Sequence, residues 1–201
     1  MTTKTITTKD ISELRARTGA GIGDCKKALE EAGGDMEKAV DLLRKKGAAR
    51  AEKRAGRTAA QGLVASYIHF NGRVGVLLEL NCETDFVANT EAFQALARDV
   101  AMHIASANPI AVSADQVPAD VVSREKAIYL EQAKESGKPA AVQEKMAEGK
   151  LKKFYEERVL LEQPFVKDDK QSVGDLVKAV SGKVGEKVVV RRFARFELGG
   201  D

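Results

Sequence analysis

Two β-rich runs on either side of Asn71-Gly72 constrain the fold of this chain more than any other feature of its sequence. The runs cover Leu63–Phe70 and Val74–Cys82, and short runs of β-branched, aromatic and other apolar residues favour β-strands. An Asn-Gly pair between two such runs favours a type I′ turn, because this turn needs a positive φ at both central positions. The sequence therefore predicts an antiparallel hairpin.

An amphipathic helix is predicted directly after the hairpin. Its apolar face recurs at three- and four-residue spacing and comprises Phe93, Leu96, Ala97, Val100, His103 and Ile104. Further helices are predicted at Ser123–Glu135, Ala140–Val159 and Asp175–Val180, a short or edge strand at Leu160–Val166, and a last strand at Lys187–Glu197. Strands first and last with helices between them indicate an α+β core over residues 61–201, with an antiparallel sheet and packed helices.

Three short helices are predicted in residues 1–47. We expect Thr8 to cap the first helix, Gly33-Gly34 to end the second, and Asp35 to cap the third, which ends before Gly47. Apolar stripes this short close only a small core, and the helices carry no reactive constellation of side chains. The segment is therefore predicted to be a docking domain. Its polar first seven residues are expected to be disordered.

A basic segment follows the three helices. Residues 1–60 hold 14 Lys and Arg against 9 Asp and Glu, and seven of the basic residues lie between Arg44 and Arg57. We interpret residues 48–60 as a solvated basic linker; contact with RNA or another acidic partner is the alternative. The chain lacks the interleaved aromatic residues of single-strand RNA binders, so nucleic acid is not the expected ligand.

No phosphate-binding loop is predicted, and we expect no direct nucleotide binding. The Gly-Lys pairs that begin at Gly137 and Gly182 are followed by neither Ser nor Thr, whereas a Walker A loop ends in one of them. The glycine-rich stretch Gly19–Gly23 lies between two predicted helices and has no strand before it. We interpret it as a tight turn between helices rather than a dinucleotide fingerprint.

Metal and nucleophile chemistry also lack support. The only cysteines are Cys25 and Cys82, which excludes a four-cysteine zinc site within one chain and suits a reducing compartment. His69 is expected far from Cys82 along the hairpin, and His103 lies on an apolar helix face, as is typical of a core or interface histidine. We therefore predict no metal, no cofactor and no enzymatic activity.

The start of the chain and its hydropathy favour a cytoplasmic address. The N-terminal residues Met1–Ile6 lack the apolar core of a signal peptide. No run approaches the roughly 18 consecutive apolar residues that a membrane span needs. We therefore expect no membrane association.

An acid and a large aromatic side chain, Asp85 and Phe86, stand together where the hairpin ends and the helix begins. Two interpretations of this position follow from the residue types. In the first, Thr84 or Asp85 caps a helix while Phe86 and Val87 fold inward as its hydrophobic staple. In the second, Phe86 is left exposed for contact with a partner.

The segment Glu79–Asn89 closely resembles the signature of the elongation factor Ts family, the bacterial nucleotide exchange factors for elongation factor Tu. The segment Leu14–Leu29 resembles the family's N-terminal motif, and Gln163–Asp168 and Val190–Phe193 are also similar to family sequences. The resemblance covers nearly the whole chain. It implies a ubiquitin-associated-like three-helix domain at 1–47, and a core of the family's dimerisation type at 61–201, as in short forms with a single core repeat and no long coiled-coil hairpin.

The resemblance also implies a function and a partner. It implies that the chain binds elongation factor Tu·GDP, dislodges Mg²⁺ and promotes release of GDP, so that GTP can bind. Thr84, Asp85, Phe86 and Val87 correspond to the loop that enters beside the nucleotide pocket. In that loop Phe86 would be the apolar wedge and Asp85 a polar or ionic contact, while Thr84 and Val87 would hold the shape of the loop.

Partner contacts are further implied for the N-terminal motif, at Leu14, Arg15, Thr18, Gly19 and Ile22. Leu14 and Ile22 are equally candidates for the core of the three helices. The short forms of the family are associated with dimers built on the core sheet, so a homodimer through the core domain is an open alternative to a monomer.

Overall fold

The computed structural model describes residues 6–200, apart from the side chains of Ala48 and Glu52. Over this range the chain forms eight α-helices and five β-strands. The mixture of packed helices with a small antiparallel sheet confirms the predicted α+β class. The expectation of disorder for residues 1–7 lies outside the described range for the first five of them, and Thr7 takes part in the cap of the first helix.

The N-terminal helices are α1 (Thr8–Thr18), α2 (Ile22–Glu31) and α3 (Met36–Lys53). The predicted cap at Thr8 is wrong by one residue: the Thr7 hydroxyl accepts from Asp10 N at 3.2 Å, and the Asp10 carboxylate accepts from Thr7 N at 2.8 Å. This reciprocal capping box requires the cap and the acid to be three residues apart, which Thr7 and Asp10 satisfy. Asp35 caps α3 as predicted, because its Oδ1 accepts from the backbone N–H groups of Glu37 and Lys38.

Helix α3 continues through Gly47 to Lys53, so its predicted end before Gly47 is wrong. The residues after Gly47 are mainly Ala, Arg, Lys and Glu, whose high helix propensities offset the roughly 1 kcal/mol cost of an interior glycine. The first six residues of the predicted linker are therefore helical. The division into domains at 1–47, 48–60 and 61–201 stays a prediction.

The three N-terminal helices enclose the small core that their apolar stripes predict. Its buried members are Leu14, Cys25, Ala28, Leu29, Ala39, Val40 and Leu43. Partly buried side chains, including Ile11, Met36 and Leu42, pack against this cluster. Two of the buried side chains on α2, Cys25 and Ala28, are short, and short side chains at a contact reduce the distance between packed helices.

Strands β1 (Gln61–Ile68) and β2 (Val74–Cys82) form the predicted hairpin, closed by a hydrogen bond from His69 N to Val74 O at 2.8 Å. The predicted type I′ turn is wrong: Gly72 has a φ of 67°, but Asn71 does not have a positive φ. The Asn71 side chain instead accepts from Arg73 N at 3.1 Å, an Asx turn that does not need the left-handed conformation at Asn71.

After β2 the chain forms the short helix α4 (Asp85–Ala88) and then α5 (Glu91–Ala107). All six predicted face residues of α5 are buried. Two further helices, α6 (Ala119–Lys134) and α7 (Ala140–Arg158), follow it and pack side by side. They are joined by a turn containing Gly137 and Pro139, as the sequence predicts.

Three elements complete the chain before its last strand. Strand β3 (Pro164–Phe165) pairs antiparallel with β4 (Asp168–Ser172). Strand β4 was not predicted, because its five residues are polar or charged and show no apolar alternation. Helix α8 (Val173–Val184) is twice as long as the predicted segment.

The last strand, β5 (Val189–Glu197), joins the hairpin in a three-stranded sheet of order β1-β2-β5. Phe193 is half-buried and Phe196 is exposed, as expected for residues three apart on a strand. Leu198 N donates to Arg73 O at 2.8 Å beyond the end of β5.

The chain divides into two compact units. The first comprises the described residues up to Leu63, with Asn81–Leu96 and Val177–Val189; the second comprises Val64–Leu80, Ala97–Leu176 and the residues from Val190 onward. The first unit thus contains the N-terminal helices, α4 and the last two turns of α8. Within it α3 and α8 cross closely, since a Cβ on Gly182 would lie 3.2 Å from the Cα of Gly47.

His103 is a structural histidine in the second unit. It is buried, its Nδ1 accepts from Val166 N at 3.2 Å, and its Nε2 lies 2.9 Å from Gln163 Oε1. Because Nδ1 is the acceptor, we assign the ring proton to Nε2, which donates to the Gln163 oxygen. Burial lowers the pKa of His103, so the ring is neutral in the folded protein. This agrees with the prediction of a core histidine.

Candidate partner-binding site

The residues that leave β2 turn directly into α4. Thr84 is extended, with φ −128° and ψ 156°, and its hydroxyl accepts from Val87 N at 3.4 Å. Thr84 is therefore the cap of α4, and Asp85 lies in the first turn, where a carboxylate is favoured by the helix dipole. The structure thus decides between the two capping residues that the sequence allowed.

Phe86 projects into solvent from this short helix. Its side chain is 82% exposed, whereas the neighbouring Val87 and Ala88 are buried. The interpretation in which Phe86 folds inward is therefore wrong, and Val87 alone supplies the inward apolar contact. A phenyl ring exposed to this extent is free to be buried against another molecule.

The start of α4 is held by a carboxylate from a distant part of the chain. Glu186 Oε2 accepts from Glu83 N at 3.1 Å and from Thr84 N at 3.0 Å, while Glu186 Oε1 accepts from the Thr84 hydroxyl at 2.7 Å. All three residues belong to the first compact unit. Glu186 was not predicted as a site residue, because 102 residues separate it from Thr84 and it stands in no recognisable pattern.

In a second set of contacts, the carboxylate of Glu83 is the acceptor and the residue after Glu186 is a donor. Glu83 Oε1 accepts from Lys187 N at 2.7 Å, and Arg57 lies 3.3 Å from the other carboxylate oxygen. The Lys187 backbone hydrogen bond, with the nearby charge of Arg57, holds the pKa of Glu83 below its usual value. Lys187 Nζ in turn donates to the carbonyls of Ala55 and Arg57, at 2.6 and 2.8 Å. Three chain segments are thereby joined at the base of α4.

Cys82 lies beneath this network and carries no reactive thiol. Its side chain is buried, and its Sγ donates to Thr84 O at 3.1 Å. Burial, with the nearby charge of Glu186, raises the pKa of the Cys82 thiol. The group therefore stays protonated at neutral pH and fills space under the turn.

The N-terminal motif separates into buried and exposed positions. Leu14 is fully buried, so it belongs to the core and offers no surface to a partner, whereas Ile22 is 59% exposed at the start of α2. Arg15 is also exposed. The structure therefore leaves Arg15 and Ile22 as the residues of this motif with the clearest contact surface.

Thr18 and Gly19 shape the end of α1. The Thr18 hydroxyl donates to Leu14 O at 2.7 Å, and Gly19, with φ 68°, caps the helix by donating from its N–H to Arg15 O. A Cβ at Gly19 would lie 2.6 Å from Lys183 Cε. Only glycine fits here without displacing the Lys183 side chain. Thr18 and Gly19 therefore both have structural roles in the described contacts.

The basic segment is largely engaged in contacts within the chain. Lys46 pairs with Glu31 at 2.7 Å, Arg54 donates to Ser181 O at 3.3 Å, and Arg57 pairs with Glu83. Arg50 binds Asp24 through both guanidinium nitrogens, and this contact holds the pKa of Asp24 below its usual value. Four of the seven basic residues thus have partners within the chain, while the interpretation of residues 48–60 as a linker stays a prediction.

Among residues 6–200, no three His, Cys, Asp or Glu side chains come together in a way that could hold a metal ion. No helix in the same described range combines the length and apolar character needed to cross a membrane.

Comparison with known proteins identifies the family. A family model described as Elongation factor TS matches residues 26–200. The elongation factor Ts of Syntrophobacter fumaroxidans is 53% identical over 196 residues, which cover 98% of each chain. The corresponding protein of Desulforamulus reducens is 57% identical over 189 residues, or 94% of this chain and 87% of the relative. That of Fervidobacterium nodosum is 54% identical over 194 residues, or 96% of this chain and 98% of the relative. The chain therefore belongs to the elongation factor Ts family.

Proposed function

We propose that this chain is a guanine nucleotide exchange factor for elongation factor Tu in translation elongation. Membership of the elongation factor Ts family carries the proposal. The exposed phenyl ring of Phe86, on a short helix held at its base by Glu186 and Glu83, supports it, since this is a rigid apolar projection suited to entering a partner. The proposed activity needs no covalent chemistry and no cofactor of this chain.

In the proposed mechanism the N-terminal helices dock on the GTPase domain of elongation factor Tu, through Arg15 and Ile22. The segment Thr84–Val87 then enters beside the nucleotide pocket, with Phe86 as the wedge and Asp85 as its polar neighbour. Mg²⁺ in GTPases bridges phosphate oxygens to the phosphate-binding loop and requires near-ideal octahedral ligands. Displacing the helices around the ion therefore weakens its ligation and releases GDP.

The cycle closes by thermodynamic reciprocity. A factor that weakens the binding of GDP to elongation factor Tu must itself be weakened to the same degree when nucleotide binds. GTP that enters the emptied pocket therefore expels the factor. The chain acts repeatedly without being changed, although it performs no chemical reaction.

The first test is the release rate of a fluorescent GDP analogue from elongation factor Tu. We expect this chain to accelerate release by about 10- to 100-fold, the scale of typical coupling between two sites. The acceleration should be greater at saturating Mg²⁺ than after chelation, since the chelator already removes the ion. No acceleration of an active partner by the folded chain would reject the proposal.

We further propose that two copies associate through the exposed face of the three-stranded sheet. Val64, Ile68, Leu77 and Phe196 are between 49% and 68% exposed. Ile68 and Gly75 lie on the same face, since a Cβ on Gly75 would meet the Ile68 side chain at 3.0 Å. Glu79 and Arg192 also share a face, because their side chains pair across the strands at 2.6 Å. Val64, Leu77 and Phe196 stand an even number of residues from these positions on their strands, which places them on the same face. An apolar sheet face of this kind suits a second copy of the same surface.

Phe196→Asp is expected to weaken this dimer by about 30-fold or more, because it places a charge in the apolar face that the two copies would bury. Sedimentation velocity over a concentration series measures the change. Ile128→Asp is the matched control, because Ile128 is an exposed apolar residue that belongs to helix α6 and not to the sheet. A wild-type chain that sediments as a monomer at all concentrations would contradict the dimer.

A further inference from the structure

Glu186 lies in the turn between α8 and β5, and its backbone is held in place by contacts that do not involve its side chain. Gly185, with φ 80°, ends the helix. The hydroxyl of the buried Ser181 donates to Glu186 O at 2.5 Å. The carboxylate therefore projects from a turn that is tied to the last turn of α8. Its two oxygens reach three donors on the segment that precedes α4.

The position of Phe86 depends on this carboxylate for a physical reason. Helix α4 has only four residues, and a helix of one turn has almost no stability of its own. Phe86 cannot hold the helix in place, because its exposed ring makes little contact within the chain. Hydrogen bonds from N–H and O–H donors to a carboxylate are shorter and stronger than neutral ones. Those to Glu186 fix the direction in which α4 leaves the strand.

We propose that Glu186 is the positioning residue for Phe86, holding the ring in the orientation that promotes nucleotide release; this inference rests on the proposed exchange function. Glu186 does not itself contact the partner in this proposal. Its effect passes through Thr84, whose N–H and hydroxyl it binds, and from there along the single turn of α4. The role is separate from docking, which falls to the N-terminal helices.

The decisive test separates the maximal rate of GDP release from the factor concentration that gives half of it. For Glu186→Ala we expect the maximal rate to fall about tenfold, as for the loss of charge-assisted hydrogen bonds. The half-saturating concentration should change less than about threefold, because the docking helices are intact. Glu131→Ala, which removes an exposed acid of α6, is the control and should leave both values unchanged. A Glu186→Ala protein with the wild-type maximal rate would overturn the proposal.

Two further variants distinguish positioning from general destabilisation. Glu186→Gln keeps one oxygen that can accept from both backbone N–H groups, and we expect it to restore the maximal rate to within about threefold of wild type. Adding Phe86→Ala to Glu186→Ala should cost little more than the larger single effect, because the two residues act as one unit. Fully multiplicative losses would contradict coupling. If Glu186→Ala does not fold, Thr84→Val replaces it, since that change deletes one of the three donors.

A measurement without the partner separates failure of this inference from failure of the exchange function. We expect the amide protons of Glu83 and Thr84 to exchange with solvent about tenfold faster or more in Glu186→Ala than in wild type, as local opening becomes easier. Unchanged protection would overturn the positioning role even if the wild-type chain proves to be an active exchange factor. Faster amide exchange in Glu186→Ala, together with a wild-type chain that has no effect on GDP release, would instead reject the proposed function alone.

Discussion

Phe86→Ala should abolish most of this chain's acceleration of GDP release from elongation factor Tu at saturating factor, because an aromatic hot spot is worth about 2 kcal/mol, comparable to the whole acceleration expected. The physical reason is that the ring is 82% exposed in the free chain and becomes buried only in the complex. Its truncation therefore costs little in folding. We expect the free energy of unfolding to change by no more than about 0.5 kcal/mol.

A second exposed phenylalanine provides the matched control for this experiment. Phe70 is 91% exposed beside the hairpin turn, so Phe70→Ala removes the same side chain from a different surface. It should leave the GDP-release rate unchanged. Equal losses of rate in the two variants, or no loss in Phe86→Ala, would remove Phe86 from the role of wedge.

Leu14→Ala should lower the free energy of unfolding by about 3 kcal/mol, within the roughly 2–5 kcal/mol found for truncating a buried leucine. Leu14 is fully buried and packs with Cys25, Ala28 and Leu29 in the core of the N-terminal helices. The substitution removes its apolar contacts and leaves a cavity that the short neighbouring side chains cannot fill. Urea denaturation, followed by circular dichroism, measures the loss.

Ile22→Ala is the informative companion, because the same family motif supplies both residues. Ile22 is 59% exposed, so its truncation should cost no more than about 1 kcal/mol of stability. It should instead raise the concentration of factor needed for half-maximal exchange. A stable Leu14→Ala protein with impaired docking would show that Leu14, despite its burial, is a contact residue.

Patterns of short range predicted most of the architecture. The hairpin, the buried face of α5, the Asp35 cap and the small core of the first three helices all depend on residues within a few positions of one another. The misses have physical causes too. Strand β4 is polar, and it exists because β3 lies beside it. Helix α3 passes through Gly47 because residues of high helix propensity follow it, and the glycine itself lies against Gly182 of α8, a contact that no local pattern contains.

The candidate site was likewise predicted in part from short-range patterns and decided in part by contacts between distant segments. The sequence alone placed Thr84, Asp85, Phe86 and Val87 between a strand and a helix and, through the family resemblance, marked them for a common role. It left open which residue caps the helix and whether Phe86 faced the core or solvent. These choices depend on what lies across from the segment.

The sequence by itself determined most of the elements and their apolar faces, because periodicity, caps and turns act between residues close in the chain. Tertiary structure decided that Phe86 is exposed while Val87 is buried, that Leu14 is core while Ile22 is surface, and that the basic residues are mostly paired. It also brought Glu186 to Thr84 across 102 residues. Such contacts depend on the packing of whole elements, and the hydrogen bonds of a single carboxylate form only after that packing has placed it.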